Sequence, residues 1–188
     1  MLQGQADGEL TERGLQQAQR LGDRLKSQHF DIIYCSDLGR CRKTAEAILA
    51  YHPDTSVVYE PLLREKAAGE HEGKPIGCTE QEARRTGVPF RAFKGQGGES
   101  WLDVKARAEL FLDGLLARHI DSGPIRILVV SHGGWLMELR NVMRVRQGMP
   151  EYYSNTSKNT ALYVVRFRRN SQGIEQRYLL TNDASHLS

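Results

Sequence analysis

Cysteine is scarce, with three in 188 residues. That is too few to staple a small fold, and none of the three sits at zinc-finger spacing. Cys35, Cys41 and Cys78 cannot all pair with one another. Cys35 closes an apolar run, where a free thiol serves as a small core residue, and this favours a reducing compartment. Long hydrophobic runs are missing too: no stretch approaches membrane-spanning length, and Met1-Leu2-Gln3-Gly4 does not read as a signal peptide. The cytoplasm is the expected location. Nor is there a strong charge of either sign. The 26 Lys and Arg against 23 Asp and Glu leave +3, compatible with anionic substrates. The basic residues are scattered, which argues against a nucleic-acid footprint. Internal repeats and low-complexity tracts are likewise absent.

What is present is an ordinary globular composition, 39% apolar and 26% charged, long enough to bury a real core. One domain over residues 1–188 is expected. A helix is predicted from Thr11 as N-cap, with Leu15, Ala18, Leu21 and Leu25 on its inner face. Asp31 to Ser36 reads as a buried strand, Arg40 to Tyr51 as a helix and Ser56 to Tyr59 as another strand. Glu60 to Gly98 is irregular, with a short helix near Thr79 to Arg85. Ser100 to His119 is an amphipathic helix with Val104, Ala108, Phe111 and Leu115 inward. Ile125 to Ser131 is the strongest strand, and Gly133 to Val145 a helix. Thr160 to Phe167 and Ile174 to Leu180 flank a hairpin turn. Alternating strands and helices imply an α/β three-layer sandwich, a mainly parallel sheet covered on both faces with an antiparallel edge. In such sheets the site gathers at the carboxyl ends of strands.

Three segments lie there. Ser131-His132-Gly133-Gly134 joins strand to helix; its glycines let backbone N–H groups approach an anion, and the helix N-terminus favours phosphate. A tight turn merely capped by His132 is an equal reading. Ser36 to Ala45 also joins strand to helix. Arg40, in the first turn, has a guanidinium suited to phosphate oxygens, whereas Arg42 and Lys43 read as a solvated face. Leu63-Arg64-Glu65 through Lys74 is charged and irregular, and Glu65 is a general acid only if its surroundings favour the protonated form. His71 reads as a surface residue. Gly97-Gly98-Glu99-Ser100 reads as a turn and N-cap.

These segments stand in a telling order: L-T-E-R-G-L-Q-Q-A from Leu10, C-S-D-L-G-R-C-R-K-T-A from Cys35, L-R-E-K-A-A-G-E-H-E-G-K from Leu63, G-G-E-S from Gly97, V-V-S-H-G-G from Val129 and N-T-A-L from Asn159. Over nearly its whole length the chain resembles the histidine phosphatase (phosphoglycerate mutase-like) superfamily. The E-G-K, G-G-E-S and N-D-A-S-H-L pieces are most similar to TIGAR-type fructose-2,6-bisphosphatases. The resemblance implies that Arg40 binds the transferred phosphoryl group and Glu65 protonates the leaving oxygen. It implies that His132 is the second histidine of the pocket and Gly133 its phosphate-facing backbone, with Gln3 and Gly4 in the loop that approaches substrate. It further implies a phosphatase of small phosphorylated metabolites, of the fructose 2,6-bisphosphate or bisphosphoglycerate type, that regulates glycolysis with no metal or cofactor and no nucleic-acid or membrane partner.

One departure is large. The family opens with a strand ending in Arg-His-Gly, whose histidine takes the phosphoryl group. That tripeptide occurs nowhere in the 188 residues, and Met1 is expected to lie downstream of it. His29, His52, His71, His119 and His186 stand in other contexts. The strand is central in the family's sheet, so its neighbours are expected to carry unpaired backbone groups, each costing roughly 1–3 kcal/mol if buried. Two rival readings follow: an inactive phosphate-binding or interaction protein of the same fold, and a hydrolase with Ser131 as nucleophile. For the latter, V-V-S-H-G lacks the first glycine of G-x-S-x-G.

Overall fold

The computed structural model describes residues 1–153 and 157–188. Residues 1–10 form no strand. Leu2 instead exchanges two backbone bonds with the segment ahead of Cys78, donating to the Lys74 carbonyl at 2.7 Å and accepting from Gly73 N–H at 2.8 Å. Helix α1 (Glu12–Leu25) begins where the Thr11 hydroxyl accepts from the Gly14 N–H, the cap expected of threonine there. Its inner face is Ala18, Leu21, Gly22 and Leu25. Leu15, expected on that face, is 48% exposed, because the buried part of α1 begins only at Ala18 and spans its last two turns.

Strand β1 (Ile32–Cys35) runs into α2 (Gly39–Leu49), and β2 (Ser56–Tyr59) leads into the irregular segment that holds α3 (Cys78–Thr86). Helix α4 (Trp101–His119) opens with a reciprocal cap. The Ser100 hydroxyl accepts from Asp103 N–H at 3.1 Å, and the Asp103 carboxylate accepts from Ser100 N–H at 2.9 Å. Strand β3 (Ile127–Val130), helix α5 (Gly133–Arg146) and the antiparallel pair β4 (Leu162–Asn170) and β5 (Gly173–Asp183) follow.

Strands β2, β1 and β3 form a parallel sheet in that order. Because strand side chains alternate, β1 feeds two cores. Ile33 and Cys35 pack with Leu21, Leu25, Cys41, Ala45 and Ile48 of α1 and α2. Tyr34 packs on the other face with Val104, Ala108, Phe111, Trp135 and Val142 of α4 and α5. Helices therefore cover both faces, giving the three layers expected. The β4–β5 pair extends both cores: Leu162 packs on the α1/α2 side, and Val165, Phe167 and Tyr178 on the α4/α5 side.

Between the two sheets the ladder is interrupted. Among the described residues β3 pairs with β1 alone, and β4 with β5 alone. A cavity of about 990 Å³ runs between Leu128–Val130 and Ala161–Tyr163, walled by Leu21 and Ile48 on one side and Leu136 on the other. Its walls are largely apolar, and the facing edges of β3 and β4 have no ladder partner among the described residues. The cavity continues to the carboxyl end of β3, where His132 and Arg40 line it.

Candidate active site

Two strand-to-helix junctions build the inner end of this cavity. After β1, Ser36 is fully buried and the chain turns into α2, placing Arg40 in the first helical turn. After β3, His132 is the N-cap residue of α5, but its side chain makes no cap bond. The imidazole turns inward instead: Arg40 Nε–H donates to His132 Nδ1 at 3.0 Å, and His132 Nε2 lies 2.9 Å from Ser36 Oγ. A guanidinium only donates, so Nδ1 is the acceptor and the proton resides on Nε2, donated to Ser36. Burial, followed by the Arg40 and Arg107 charges, pushes His132 down to about 3, and the ring is neutral at physiological pH. Cys41 Sγ sits 3.4 Å from Nε2, and burial pushes its thiol up to about 12, so it serves as an inert wall.

Arg40 also donates from Nη2 to the Gly4 carbonyl at 2.8 Å. Gly4 has φ +57°, and a Cβ there would lie 2.5 Å from Glu72 Oε1 and 3.0 Å from Ala68; only glycine brings that carbonyl so close. Arg40 Nη1 is buried with no hydrogen-bond partner. A buried cationic donor left open is costly, and an anion in the cavity would satisfy it.

Glu65 reaches the same place from the loop after the turn Pro61–Leu63. Its Oε2 accepts from Gly134 N–H at 3.1 Å and its Oε1 from Lys66 N–H at 2.9 Å. The carboxylate thus lies at the α5 N-terminus, where the helix dipole favours negative charge. Gln3, Gly4, Arg40, Glu65, His132 and Gly133 all line the one cavity. Ser131 does not serve as a free nucleophile: its hydroxyl donates to the Leu63 carbonyl at 2.7 Å.

The structure adds residues not singled out from the sequence. Arg107, in α4, grips the Glu65 loop. Its Nη1 donates to the Leu62 and Arg64 carbonyls at 2.7 and 3.1 Å, and its Nε and Nη2 hold Glu99 at 2.7 and 2.9 Å. Glu99 in turn accepts from Ala67 N–H at 2.8 Å. Glu99 had read only as part of a turn, yet it ties the loop to α4; no sequence spacing signals this, because Glu99 lies before the helix. Asp37, one residue past Ser36, pairs with Arg64 through two bonds of 2.7 and 2.5 Å. Lys66 and Trp101 line the cavity beside Glu65. His71, expected at the surface, is 1% exposed and bonded to Glu82 at 2.6 Å, because the irregular segment folds back on itself through Phe93 and Gly95.

Two predictions arise here. Arg107→Ala should lower stability by about 3 kcal/mol, since it leaves Glu99 and three carbonyls without their donor. Urea denaturation reads this, and Arg107→Lys should recover only part, because an ammonium cannot fork across Glu99. The second concerns pH. His132 is depressed from 6.5 to about 3, so the unfolded chain binds a proton that the folded one refuses between those values. Stability is therefore full above pH 6.5 and falls with falling pH, by at most about 1.4 kcal/mol per pH unit. Thermal unfolding from pH 6.5 to 4.5 should show this slope, and His132→Gln should flatten it; an equally steep variant would disprove the assignment. Asp37 and Asp103 are held below the ordinary 3.8 by Arg64 and by Ser100 respectively, so they act only below that window.

Parallel strands that end at a half-buried arginine and a buried, neutral histidine place this chain among the α/β proteins with a candidate site at the strand ends. The profile of the Histidine phosphatase superfamily (branch 1) matches residues 1–179, and the chain belongs to that family. It is 37% identical over 125 residues to fructose-2,6-bisphosphatase TIGAR B of Danio rerio, covering 64% of this chain and 49% of that protein. It is 38% identical over 136 residues to the probable phosphoglycerate mutase GpmB of Erwinia tasmaniensis, covering 70% of this chain and 61% of that protein. The chain thus spans about half to three fifths of the length of these relatives. Among solved structures it superposes on YhfR of Bacillus stearothermophilus with a TM-score of 0.77 and 26% identity, over 100% of this chain and 91% of that one. Among the described residues no helix is long and apolar enough to cross a membrane.

Proposed function

We propose that this cavity binds the phosphoryl group of a small phosphorylated metabolite, and that the complete catalytic unit is a phosphatase working through a phosphohistidine. The observation that carries the reading is Arg40: a guanidinium lining the cavity, steered by His132 and Gly4, whose buried Nη1 has no partner. In the proposed reaction Arg40, His132 and the Gly133 and Gly134 backbone hold the phosphoryl oxygens. A histidine from an Arg-His-Gly segment attacks phosphorus as Glu65 protonates the leaving oxygen. Water then cleaves the phosphohistidine with Glu65 as base. Gln3 and Gly4 shape the approach. Names of the relatives suggest sugar bisphosphates or phosphoglycerates as substrates. The family resemblance adds a role in regulating glycolysis in the cytoplasm, a compartment that three unbridged cysteines suit.

Orthophosphate titrated into residues 1–188 by calorimetry should bind, and Arg40→Ala should weaken binding at least about tenfold, the loss expected for charge-assisted bonds. Unchanged affinity in Arg40→Ala would remove the reading. A phosphate-binding protein without turnover is the second reading. Of the six histidines, His132 lines the cavity, and both its ring nitrogens are engaged. Retained orthophosphate binding with no hydrolysis by any N-terminally extended form would favour that reading.

A further inference from the structure

We infer that the ester bound here has an apolar alcohol, an aryl or alkyl phosphate, in preference to a sugar bisphosphate. This rests on the phosphate-site reading above, in which Glu65 marks the side from which the alcohol departs. The ester oxygen joins phosphorus to the alcohol carbon, so the alcohol must lie against whatever surrounds Glu65. That neighbour is an aromatic ring: a Cβ added to Gly134 would lie 2.5 Å from Glu65 Oε1 and 2.7 Å from Trp101 Cη2. Carboxyl and indole therefore pack side by side on the first turn of α5. The same cavity is lined by Phe90 and Ile76. Phe90 is 40% and Ile76 78% exposed. Large apolar side chains left in water at the mouth of a cavity with polar groups at its base are the composition of a ligand site.

Charge points the same way. A second phosphate on this side would need cations to receive it. Lys66 is present, its ammonium 5.8 Å from the Trp101 ring, but the carboxylates of Glu99, Glu65 and Asp103 already act on it. Glu80 lines the same stretch as Phe90 and Ile76 and would repel a second anion. Arg13 and Lys158 line the cavity from α1 and the residues leading to β4, and they also line a surface cleft with Arg20 and Leu187.

The test is calorimetry on residues 1–188 with three probes: orthophosphate, phenyl phosphate and fructose 2,6-bisphosphate. Phenyl phosphate should bind about tenfold more tightly than orthophosphate, the gain expected for covering part of one ring, and the bisphosphate no more tightly than orthophosphate. In Ile76→Ser and Phe90→Ser the ratio of phenyl phosphate to orthophosphate affinity should fall toward one. Both side chains are exposed, and thermal unfolding checks that the variants remain folded. A bisphosphate that binds more tightly than phenyl phosphate overturns the inference. So does equal binding of phenyl phosphate and orthophosphate by the unaltered chain, or a ratio untouched in Ile76→Ser. Those outcomes leave the phosphate site standing. No binding of orthophosphate at all removes the phosphate-site reading, and this inference with it.

Discussion

A polypeptide of residues 1–188 should hydrolyse phosphomonoesters at background rate, and the same residues preceded by a strand ending in Arg-His-Gly should turn over at least on the order of 10⁴-fold faster, the scale on which covalent catalysis depends on its nucleophile. The argument is chemical. Arg40, His132 and the α5 amides can hold a phosphoryl group, but a covalent mechanism needs an atom to receive it. His132 is a poor receiver: Nδ1 takes a bond from Arg40 and Nε2 gives one to the buried Ser36. Displacement at phosphorus needs attacking and leaving oxygens in line, and a ring fixed on both sides cannot swing to that line. The cavity between β3 and β4 is where such an added strand would enter. A strand parallel to β3 in that space would end beside His132 and Arg40, at the carboxyl edge. It would also pair the free edges of both sheets, so the extended form should unfold at a higher temperature. Kinetics and melting of both forms, on phenyl phosphate and fructose 2,6-bisphosphate, provide the check. Comparable turnover by the short form, abolished in His132→Ala, would make His132 the nucleophile and refute this account.

Gly134→Ala should cost the extended form about 100-fold in kcat, as expected when a reacting group is displaced by about 1 Å. A methyl at Gly134 would meet Glu65 Oε1 at 2.5 Å and the Trp101 ring at 2.7 and 3.0 Å. The carboxyl is the more flexible of the two, so it yields first and leaves the Gly134 N–H. Orthophosphate affinity should fall far less, because Arg40 approaches from the β1–α2 junction and His132 precedes the helix. A loss confined to KM would show that Glu65 contributes to binding and not to proton transfer. Far-ultraviolet circular dichroism guards against simple unfolding, since alanine is a better helix former than glycine.

Much of the architecture is legible in the sequence where period and punctuation agree. Ser100 followed by Asp103 announces the start of α4, and Val104, Ala108 and Phe111 give its inner face. The apolar run before Ser131 gives β3, and the two strand-to-helix junctions give the positions of Arg40 and His132. The irregular stretch from Glu60 to Gly98 resists such reading. It has no period to separate inside from outside, so a buried His71 looks the same as an exposed one. Leu15 shows the complementary limit: a correct helical period says which face is apolar, not how far along the helix the neighbouring elements reach.

Sequence by itself determined the elements, the family and the identity of the residues at the two junctions, because hydrophobic period, caps and ordered motifs are local properties of the chain. Tertiary structure alone decided that Arg40 ends with an open Nη1, that His132 is neutral and held at both nitrogens, and that Glu65 shares the α5 N-terminus with Trp101. It alone decided that Arg107 and Glu99 grip the Glu65 loop from a helix about 40 residues away in the chain. Those facts depend on which donors and acceptors burial leaves unpaired, and burial is a property of packed elements rather than of any one segment.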